Sequence, residues 1–330
     1  MGPAQAQSAG VPGATAALPE VTVSGPRALP DHEALETLPM SSDVIDTTRV
    51  GVEPGRTLGE ALQDLPNVSV RDAPARLAVG AASSSFARDG NTGINIRGLG
   101  GNRVLMTVDG VRLPRSYVSR SAIFDREYLS LELFKRIEVI RGPASAVYGS
   151  DGMAGVVNFV SYDPLDFLLD AQGKPTRTVG GRVAAGWSED DHGYSLAGTV
   201  AGRASDSLQW LLSANRRTAH AMQTMGSNDA PNANRTQANP ERDGDTAVLA
   251  KVVVQPNAAQ RHVLSLEHTD RAANTDLLSS RAARPSRASD VVNESSDYSA
   301  QRDRFSWDAR YELGTAWADQ VRTIVGVQRT

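Results

Sequence analysis

Residues 136–160 constrain the fold of this chain more than any other segment, because glycine and proline divide them into short pieces. The apolar run that ends at Arg141 is typical of a strand, and Gly142 and Pro143 force a turn after it. A one-turn helix ended by Gly149, a glycine-rich bend and a second apolar strand follow. This order of strand, turn, short helix, bend and strand predicts a small α+β domain.

The composition excludes several classes of protein. The chain has 330 residues, enough for two domains, and its 34 basic and 38 acidic side chains give no electrostatic reason to expect a nucleic-acid partner. It contains no cysteine, which excludes disulfides and thiolate metal sites. No run approaches the ~18 apolar residues of a membrane helix, whereas a membrane barrel hides its apolar residues in alternation.

The first 43 residues are rich in alanine, glycine and proline and are expected to form a flexible leader. One short segment of high strand propensity interrupts this leader. It consists of Glu20, Val21, Thr22, Val23 and Ser24. Such a segment can add a strand to the edge of a partner's sheet, with backbone hydrogen bonds supplying the affinity.

Two local signals lie between the leader and the segment 136–160. Thr57 and Glu60 fit a capping box at the start of an amphipathic helix, which Pro66 would end. Asp109 and Gly110 stand between two apolar runs, and they predict a type I′ hairpin because both central residues of that turn need a positive φ.

From about residue 178 the sequence alternates with period two, which predicts β-strands. We expect strands at residues 179–188, 193–203, 208–218, 244–254, 260–270, 301–313 and 320–329. Around Phe305, the apolar residues would face one side and Arg304, Ser306 and Asp308 the other. Charges on the inward face favour a wide, wet lumen with an apolar outer belt. Short turns alternate with two long polar connections, as in outer-membrane barrels.

Together these motifs resemble those of the TonB-dependent outer-membrane receptors. The matching segments are Thr-Leu-Gly-Glu-Ala-Leu at 57–62, Ile-Arg-Gly at 96–98, Leu-Met-Thr-Val-Asp-Gly-Val-Arg at 105–112 and the whole of 136–160. The resemblance implies an α+β plug domain, with a small mixed sheet and short helices, followed by the N-terminal part of an antiparallel transmembrane β-barrel. It divides the chain into a leader (1–43), a plug (44–165) and the first barrel strands (176–330).

The number of strands implies that the barrel is incomplete. Barrels of this family have about 22 strands, and barrel diameter grows with strand number. Seven strands cannot close round a plug of this size. The resemblance therefore implies a chain truncated at Thr330, which would not transport anything by itself.

The resemblance also assigns roles to particular residues. Residues 20–24 match the TonB box, the peptide gripped by the periplasmic protein TonB, which an inner-membrane complex energises. In this family, an arginine of the Ile-Arg-Gly match and one of the Arg-Gly-Pro match meet glutamates on the barrel wall. These residues are Arg97 and Arg141 here, and burial between plug and barrel would require such carboxylate partners.

Residues 101–114 and 133–152 look most like the haem, haemoglobin and transferrin branch of the family. The resemblance implies that haem is the transported ligand rather than a resident cofactor, and no resident metal is expected. Ferric siderophore is the alternative cargo. The implied partners are TonB, a haem or haemoglobin-type ligand and outer-membrane lipid, with no nucleic acid. The implied location is the Gram-negative outer membrane, with the leader facing the periplasm.

Haem iron needs an axial donor such as histidine or tyrosine. Related haem receptors use a histidine at the plug apex, but the apex segment 114–128 has none and offers Tyr117 and Tyr128 instead. His220 and His268 fall near predicted external loops. These four residues are the candidate ligand contacts.

Two other function classes fit less well. A signalling receptor needs a further folded domain ahead of the TonB box, and only 17 residues precede Leu18. An enzyme needs a catalytic constellation, and we identify no catalytic residues. Residues 148–152 miss the spacing of a nucleophile elbow, and Gly98-Leu99-Gly100 precedes a strand pattern rather than a phosphate-binding helix.

Overall fold

The computed structural model describes residues 41–46, 58–62, 64–70, 94–115, 117–119, 122–124, 128–144, 151–170, 174–315 and 317–330. Residues 60, 117–119 and 122–124 are described by their backbone alone. The predicted TonB box, residues 20–24, and Thr57 of the predicted capping box lie outside the described residues.

The described residues of the first half of the chain form ten strands and two short helices. The strands are β1 (Ser41–Asp46), β2 (Val68–Ser69), β3 (Asn95–Ile96), β4 (Leu99–Gly100), β5 (Val104–Val108), β6 (Val111–Arg112), β7 (Tyr117–Ser119), β8 (Ala122–Phe124), β9 (Phe134–Arg141) and β10 (Gly155–Ser161). The helices are α1 (Leu58–Leu62) and α2 (Leu165–Leu168). Three 3₁₀ turns complete the assignment, at Gly101–Arg103, Leu131–Leu133 and Leu278–Ser280.

The central sheet of the plug has the strand order β1-β9-β10-β5-β6. Strand β10 runs parallel to β5 and antiparallel to β9, so the sheet is mixed, as the resemblance implies. A three-stranded sheet (β2-β3-β4) and the β7–β8 hairpin lie beside it. The core holds fully buried Leu62 and the rings of Phe134 and Phe159, whose centroids are 5.2 Å apart.

The turn between β5 and β6 confirms the hairpin prediction. Val108 pairs with Val111 across it, and the two central residues, Asp109 and Gly110, have φ values of 50° and 82°. Positive φ at both positions is the signature of a type I′ turn. The tight turn points the Asp109 side chain away from the plug core.

The second half of the chain forms one antiparallel meander, which we call the wall. Its seven strands are β11 (Val179–Ser188), β12 (Gly193–Ser205), β13 (Leu208–His220), β14 (Glu241–Asn257), β15 (Gln260–Asp276), β16 (Ser295–Glu312) and β17 (Gln320–Arg329). All seven predicted strands are present, and five of them are longer than predicted. The two long connections are therefore shorter than expected, at residues 221–240 and 277–294.

The two faces of the wall differ in polarity, as the alternation predicts. Large apolar side chains, among them Leu196, Leu212 and Phe305, are exposed on the outer face. Polar and charged side chains, such as Lys251 and Glu267, are buried on the inner face. This plug followed by antiparallel strands of barrel type confirms the expected fold class.

The outer face also carries aromatic side chains near both ends of the strands. Trp187 and Tyr194 pair across β11 and β12 next to the first connection. Near the opposite end, His262 stacks on Trp307 at a centroid distance of 6.1 Å and meets the edge of Tyr311 at 5.4 Å. Rings at both borders of an apolar belt are typical of membrane-facing surfaces.

Strands β11 and β17 occupy the two edges of the wall, so the sheet is open in the part of the chain that the structure describes. Of the helices described, none has the length and apolar character needed to cross a membrane.

Candidate functional site: the plug–wall interface

The Asp109 turn is the point where the plug makes its main ionic contact with the wall. Its carboxylate accepts two hydrogen bonds from Ser161, at 2.9 Å from the backbone N and 2.5 Å from the hydroxyl. The Asp109 backbone N donates to the Phe159 carbonyl at 2.9 Å. Phe159 and Ser161, both in β10, thus fix the position and direction of this carboxylate.

A buried polar network supports the same turn from inside the sheet. The Thr107 hydroxyl donates to Asn158 Oδ1 at 2.7 Å, and the Asn158 amide donates to Glu138 Oε2 at 2.8 Å. Arg136 Nε donates to the other Glu138 oxygen at 2.8 Å. A network whose members satisfy one another makes the local structure rigid.

Two cationic side chains of the wall lie close to the Asp109 carboxylate. Arg304 Nη2 lies 3.2 Å from Asp109 Oδ2, and Lys251 Nζ lies 3.7 Å from the same oxygen. Arg304 Nη1 also donates to the Val108 carbonyl at 3.3 Å. One arginine therefore binds both the turn carboxylate and the backbone of the strand before it.

Burial would by itself raise the pKa of the Asp109 carboxyl. Lys251, Arg304 and the hydrogen bonds from Ser161 outweigh this effect and hold that pKa well below its usual value of 3.8. Asp109 is therefore a carboxylate at neutral and mildly acidic pH, and its charge is available to the two wall cations.

The wall supplies a carboxylate of its own, Glu267 on β15. Arg304 donates to Glu267 Oε2 from Nε at 2.9 Å and lies within 2.8 Å of it through Nη2, while Arg302 pairs with Oε1. All three of these side chains are almost completely buried. Removing one partner from such a set leaves an uncompensated buried charge.

Arg302 also reaches the plug. Its guanidinium carbon lies 5.4 Å from the centre of the Tyr128 ring, a cation–π distance. Tyr128 is 3% exposed, so this contact is closed to solvent. The cluster of Asp109, Tyr128, Lys251, Glu267, Arg302 and Arg304 is called the ionic lock below.

Two further contacts join the plug to the wall. Arg261 on β15 pairs with Asp163, which follows β10. Arg182 on β11 lies 3.6 Å from Glu132 Oε2 and places its guanidinium 4.6 Å from the centre of the Tyr162 ring. Each contact again joins a wall arginine to an acidic or aromatic residue of the plug.

Strand β17 approaches the plug through its backbone. A Cβ added at Gly326 would lie 2.7 Å from Val111 Cγ1, so only glycine permits this spacing. Gln328 Nε2 donates to the Arg112 carbonyl at 2.5 Å.

Between the two bodies lies a polar cleft of about 250 Å³. Arg136, Glu138 and Asp163 line it from the plug, and Arg261, Asp308 and Arg322 are among its residues on the wall. The interface thus contains charged groups on both sides, beside an apolar patch where Leu211 and Leu249 of the wall belong to the same buried cluster as Leu131 and Leu133 of the plug.

The two arginines expected to meet wall glutamates have different surroundings here. Arg141 is buried and pairs with Asp43 of β1 at 2.6 Å, and it donates to the Pro66 carbonyl at 2.6 Å. Neither partner lies in the wall, and Asp43 belongs to β1 of the plug sheet, which begins before the predicted plug boundary at residue 44. Arg97 is exposed, with a φ of 53°, in the turn between β3 and β4, and its backbone N donates to Asn67. Pairing of either arginine with a wall glutamate stays a prediction.

The candidate ligand contacts do not form one group. Tyr117 lies in β7, where the structure describes the backbone alone, and Tyr128 lies in the ionic lock. His220 is exposed at the last position of β13. No contact among these candidates is found in the described part of the chain, so ligand binding by them stays a prediction.

The expected position of His268 near an external loop is wrong. Strand β15 continues to Asp276, and His268 lies inside it on the outer face, with Nδ1 2.7 Å from Asp303 Oδ1. The prediction ended this strand at residue 270 because the outward residues beyond that point, such as Asn274, are polar. An apolar alternation therefore could not reveal that part.

Comparison with known proteins agrees with this architecture. The family model described as TonB-dependent Receptor Plug Domain matches residues 34–156. The chain carries a TonB-dependent receptor plug. Its seven wall strands are of barrel type, and the match to a receptor plug domain indicates an outer-membrane location.

Two relatives extend the similarity. A protein named Hemin receptor from Yersinia pestis is 28% identical over 194 residues, which cover 59% of this chain and 25% of that protein. Heme/hemopexin utilization protein C from Haemophilus influenzae is 38% identical over 112 residues, which cover 34% of this chain and 13% of that protein. The chain therefore spans a quarter or less of the length of these relatives.

Solved structures of an iron transporter and a ferric enterobactin receptor share the fold. The FrpB iron transporter from Neisseria meningitidis has a TM-score of 0.66 at 16% identity, covering 88% of this chain and 40% of that one. The ferric enterobactin receptor PfeA of Pseudomonas aeruginosa, an R480A/Q482A mutant, has a TM-score of 0.61 at 17% identity, covering 90% and 41%. At these identities the likeness concerns the fold alone.

Sequence reasoning did not find the ionic lock. The alternation placed Arg304 on the inward face, but nothing local connects it to Asp109, which lies 195 positions earlier. The available signal was the number of inward charges on the wall, since buried charges need partners. Reading those partners required the fold.

Proposed function

We propose that this protein is part of a TonB-dependent outer-membrane receptor that imports haem, free or taken from haem proteins. The leader faces the periplasm, and TonB binds residues 20–24. The observation that carries the proposal is the sequence similarity to hemin and heme/hemopexin proteins, which extends over 194 and 112 residues.

Ferric siderophore is the second candidate cargo. Structures of ferric enterobactin receptors share the fold of this chain, but at 16–17% identity they do not bear on the ligand. The Hemin receptor of Yersinia pestis is 28% identical to this chain over the matched 194 residues. Haem is therefore the better supported cargo.

The plug–wall interface suits a plug that stays in place at rest and moves when it is pulled. Its described contacts include ion pairs and hydrogen bonds beside a polar cleft, together with an apolar patch at Leu211 and Leu249. Water can replace the polar contacts at modest cost when the plug is displaced, and the apolar patch adds the cost of the area that it exposes. We infer that a pull on the leader loosens the plug at this interface.

The ligand contacts belong to the same proposal. Tyr117 stays a candidate for haem, since it lies in the apex segment, whereas His220 is a weaker one because it lies on the outer face, in register with Arg242. Tyr128 and His268 are weaker candidates, because Tyr128 packs under Arg302 and His268 faces outward beside Asp303.

Growth of an iron-starved, haem-auxotrophic host that carries the complete gene tests this function. We expect growth on haemoglobin, and we expect deletion of residues 20–24 to abolish it because TonB loses its grip. Deletion of residues 8–12, also in the leader, is the matched control and should leave growth unchanged.

Each part of the proposal has its own contrary result. Failure of the auxotroph on haemoglobin and hemin, together with growth of an iron-starved host that makes its own haem on ferric siderophores, would overturn the cargo. Unchanged growth after deletion of residues 20–24 would overturn their role as the TonB-binding segment.

A further inference from the structure

Two arginines on neighbouring wall strands face away from the plug. Arg216 on β13 and Arg242 on β14 are exposed, while Arg217 and Asp243 beside them point inward and pair with each other at 3.2 Å. Among the described residues, neither outward arginine makes a hydrogen bond or an ion pair. Their charges are available to a partner outside the chain.

The two arginines lie near the border of the apolar belt. Arg216 is paired in register with Leu196, which is 56% exposed, and Thr218 is paired with Tyr194. Tyr194 and its partner Trp187 form the aromatic border of the belt. The arginines thus continue, on the next two strands, the level at which apolar surface gives way to polar surface.

Between the arginines lies an open groove of about 550 Å³. Small side chains form its floor: Thr218, Gly244, Thr246 and Ala272. Arg242 is paired in register with His220, four positions beyond Arg216, so the two Cα atoms are about 14 Å apart given the rise and spacing of strands. Both side chains can reach over this floor from opposite ends.

Two acidic residues line the far side of the groove, on β15 and β16. Asp270 accepts a hydrogen bond from Gln301 at 3.2 Å, and Asp297 accepts one from Asn274. These carboxylates are held by their own strand neighbours. The cationic end of the groove is therefore the end toward β13 and β14.

We propose that this groove binds the phosphorylated headgroup of an outer-leaflet lipid, an inference that rests on the outer-membrane location. A guanidinium binds phosphate through paired N–H donors, and its stem can lie along apolar surface while its head stays in the polar layer. The acyl chains of the same lipid cover the belt below, at Leu196 and Leu212. The cationic groove lies next to the apolar belt, so the site suits a phosphate that is attached to acyl chains better than a free anion.

Native mass spectrometry of the complete receptor, purified from outer membranes in detergent, tests the proposal. The probes are diphosphoryl lipid A and its dephosphorylated form, with inorganic phosphate as competitor. In the double variant Arg216→Gln/Arg242→Gln, we expect the population with bound diphosphoryl lipid A to fall about tenfold or more, since each cation near a lipid headgroup strengthens binding several-fold. Arg284→Gln, an exposed loop arginine, is the matched control.

The outcomes separate this site from the proposed cargo. Equal lipid retention in the double variant, an equal loss in Arg284→Gln, or equal retention of the dephosphorylated lipid would overturn the proposal. Displacement by excess inorganic phosphate would reduce the site to a simple anion site and overturn the lipid assignment. Growth on haemoglobin is scored separately, so a wrong cargo would leave the lipid result standing.

Discussion

The carboxylate of Asp109 connects the plug to two strands of the wall, β14 and β16. It accepts hydrogen bonds from Ser161 of the plug and faces Arg304 and Lys251 of the wall. About a fifth of its side chain is exposed, so water reaches one side of it. This residue is therefore better placed than the fully buried Glu267 to exchange its wall contacts for water.

The variant Asp109→Asn removes the charge and keeps the shape. Because Arg304 keeps Glu267 as partner, we expect a moderate loss of about 1–3 kcal/mol in the local stability of the turn. Hydrogen–deuterium exchange of residues 104–112 in the complete receptor should become faster at pH 7. Asp206→Asn, which removes a fully exposed carboxylate near Arg203 of the wall, is the control and should leave this peptide unaffected.

The same turn should be insensitive to mild acid. A carboxyl with a depressed pKa contributes stability that is fully present above its unfolded value and is lost only as the pH falls through the lower folded value. For Asp109 the ordinary value is 3.8 and the folded value is well below it. Exchange of residues 104–112 should thus be equally protected at pH 7 and pH 5 after correction for intrinsic rates. Loss of protection at pH 5 would contradict the assignment.

Glu267→Gln should have the largest effect of any single change in the ionic lock. It leaves Arg302 without its carboxylate and Arg304 with Asp109 alone, and breaking a buried pair in this way costs roughly 3–5 kcal/mol. We expect a lower thermal midpoint and less folded receptor in the outer membrane. Glu312→Gln, at the exposed end of β16, should match the unmodified protein. An unchanged midpoint for Glu267→Gln would show that the lock adds no stability.

At the scale of elements, the sequence predicted strands better than contacts. Period-two alternation locates a strand and tells which residues share a face, as it did for Phe305 and Arg304. It carries no information on which inward residue faces which part of the plug, because the contacts of Asp109 lie more than 140 positions away. The alternation also fades where both faces are polar, which is why the upper half of β15 and His268 were misplaced.

The turn between β5 and β6 offers a test at this scale. Gly110 has a φ of 82°, and a side chain there costs about 1–2 kcal/mol, so Gly110→Ala should destabilise the hairpin and displace Asp109. Faster exchange of residues 104–112 is the expected result. Gly198→Ala is the control, since nothing lies within 4 Å of its added Cβ. Equal exchange in both variants would contradict the role given to the turn.

At the scale of the whole molecule, the outer face of the wall is expected to meet lipid. Leu212 is 47% exposed there, between the β12 and β14 neighbours Val200 and Ala250. An arginine on such a face costs about 2–4 kcal/mol at mid-membrane depth, so Leu212→Arg should reduce the amount of heat-modifiable, folded receptor. Val292→Arg, in the connection between β15 and β16, should not. Equal yields would argue against a lipid-facing wall.

The charges of the ionic lock have a consequence for a receptor without its plug. Around Glu267 the wall places three cations, Lys251, Arg302 and Arg304, against that single carboxylate, and Asp109 supplies further negative charge from the plug. Deleting the plug would leave the cations facing an open passage. Such a pore, reconstituted in a planar bilayer, should carry chloride in preference to potassium, and Lys251→Glu should shift its reversal potential toward cations.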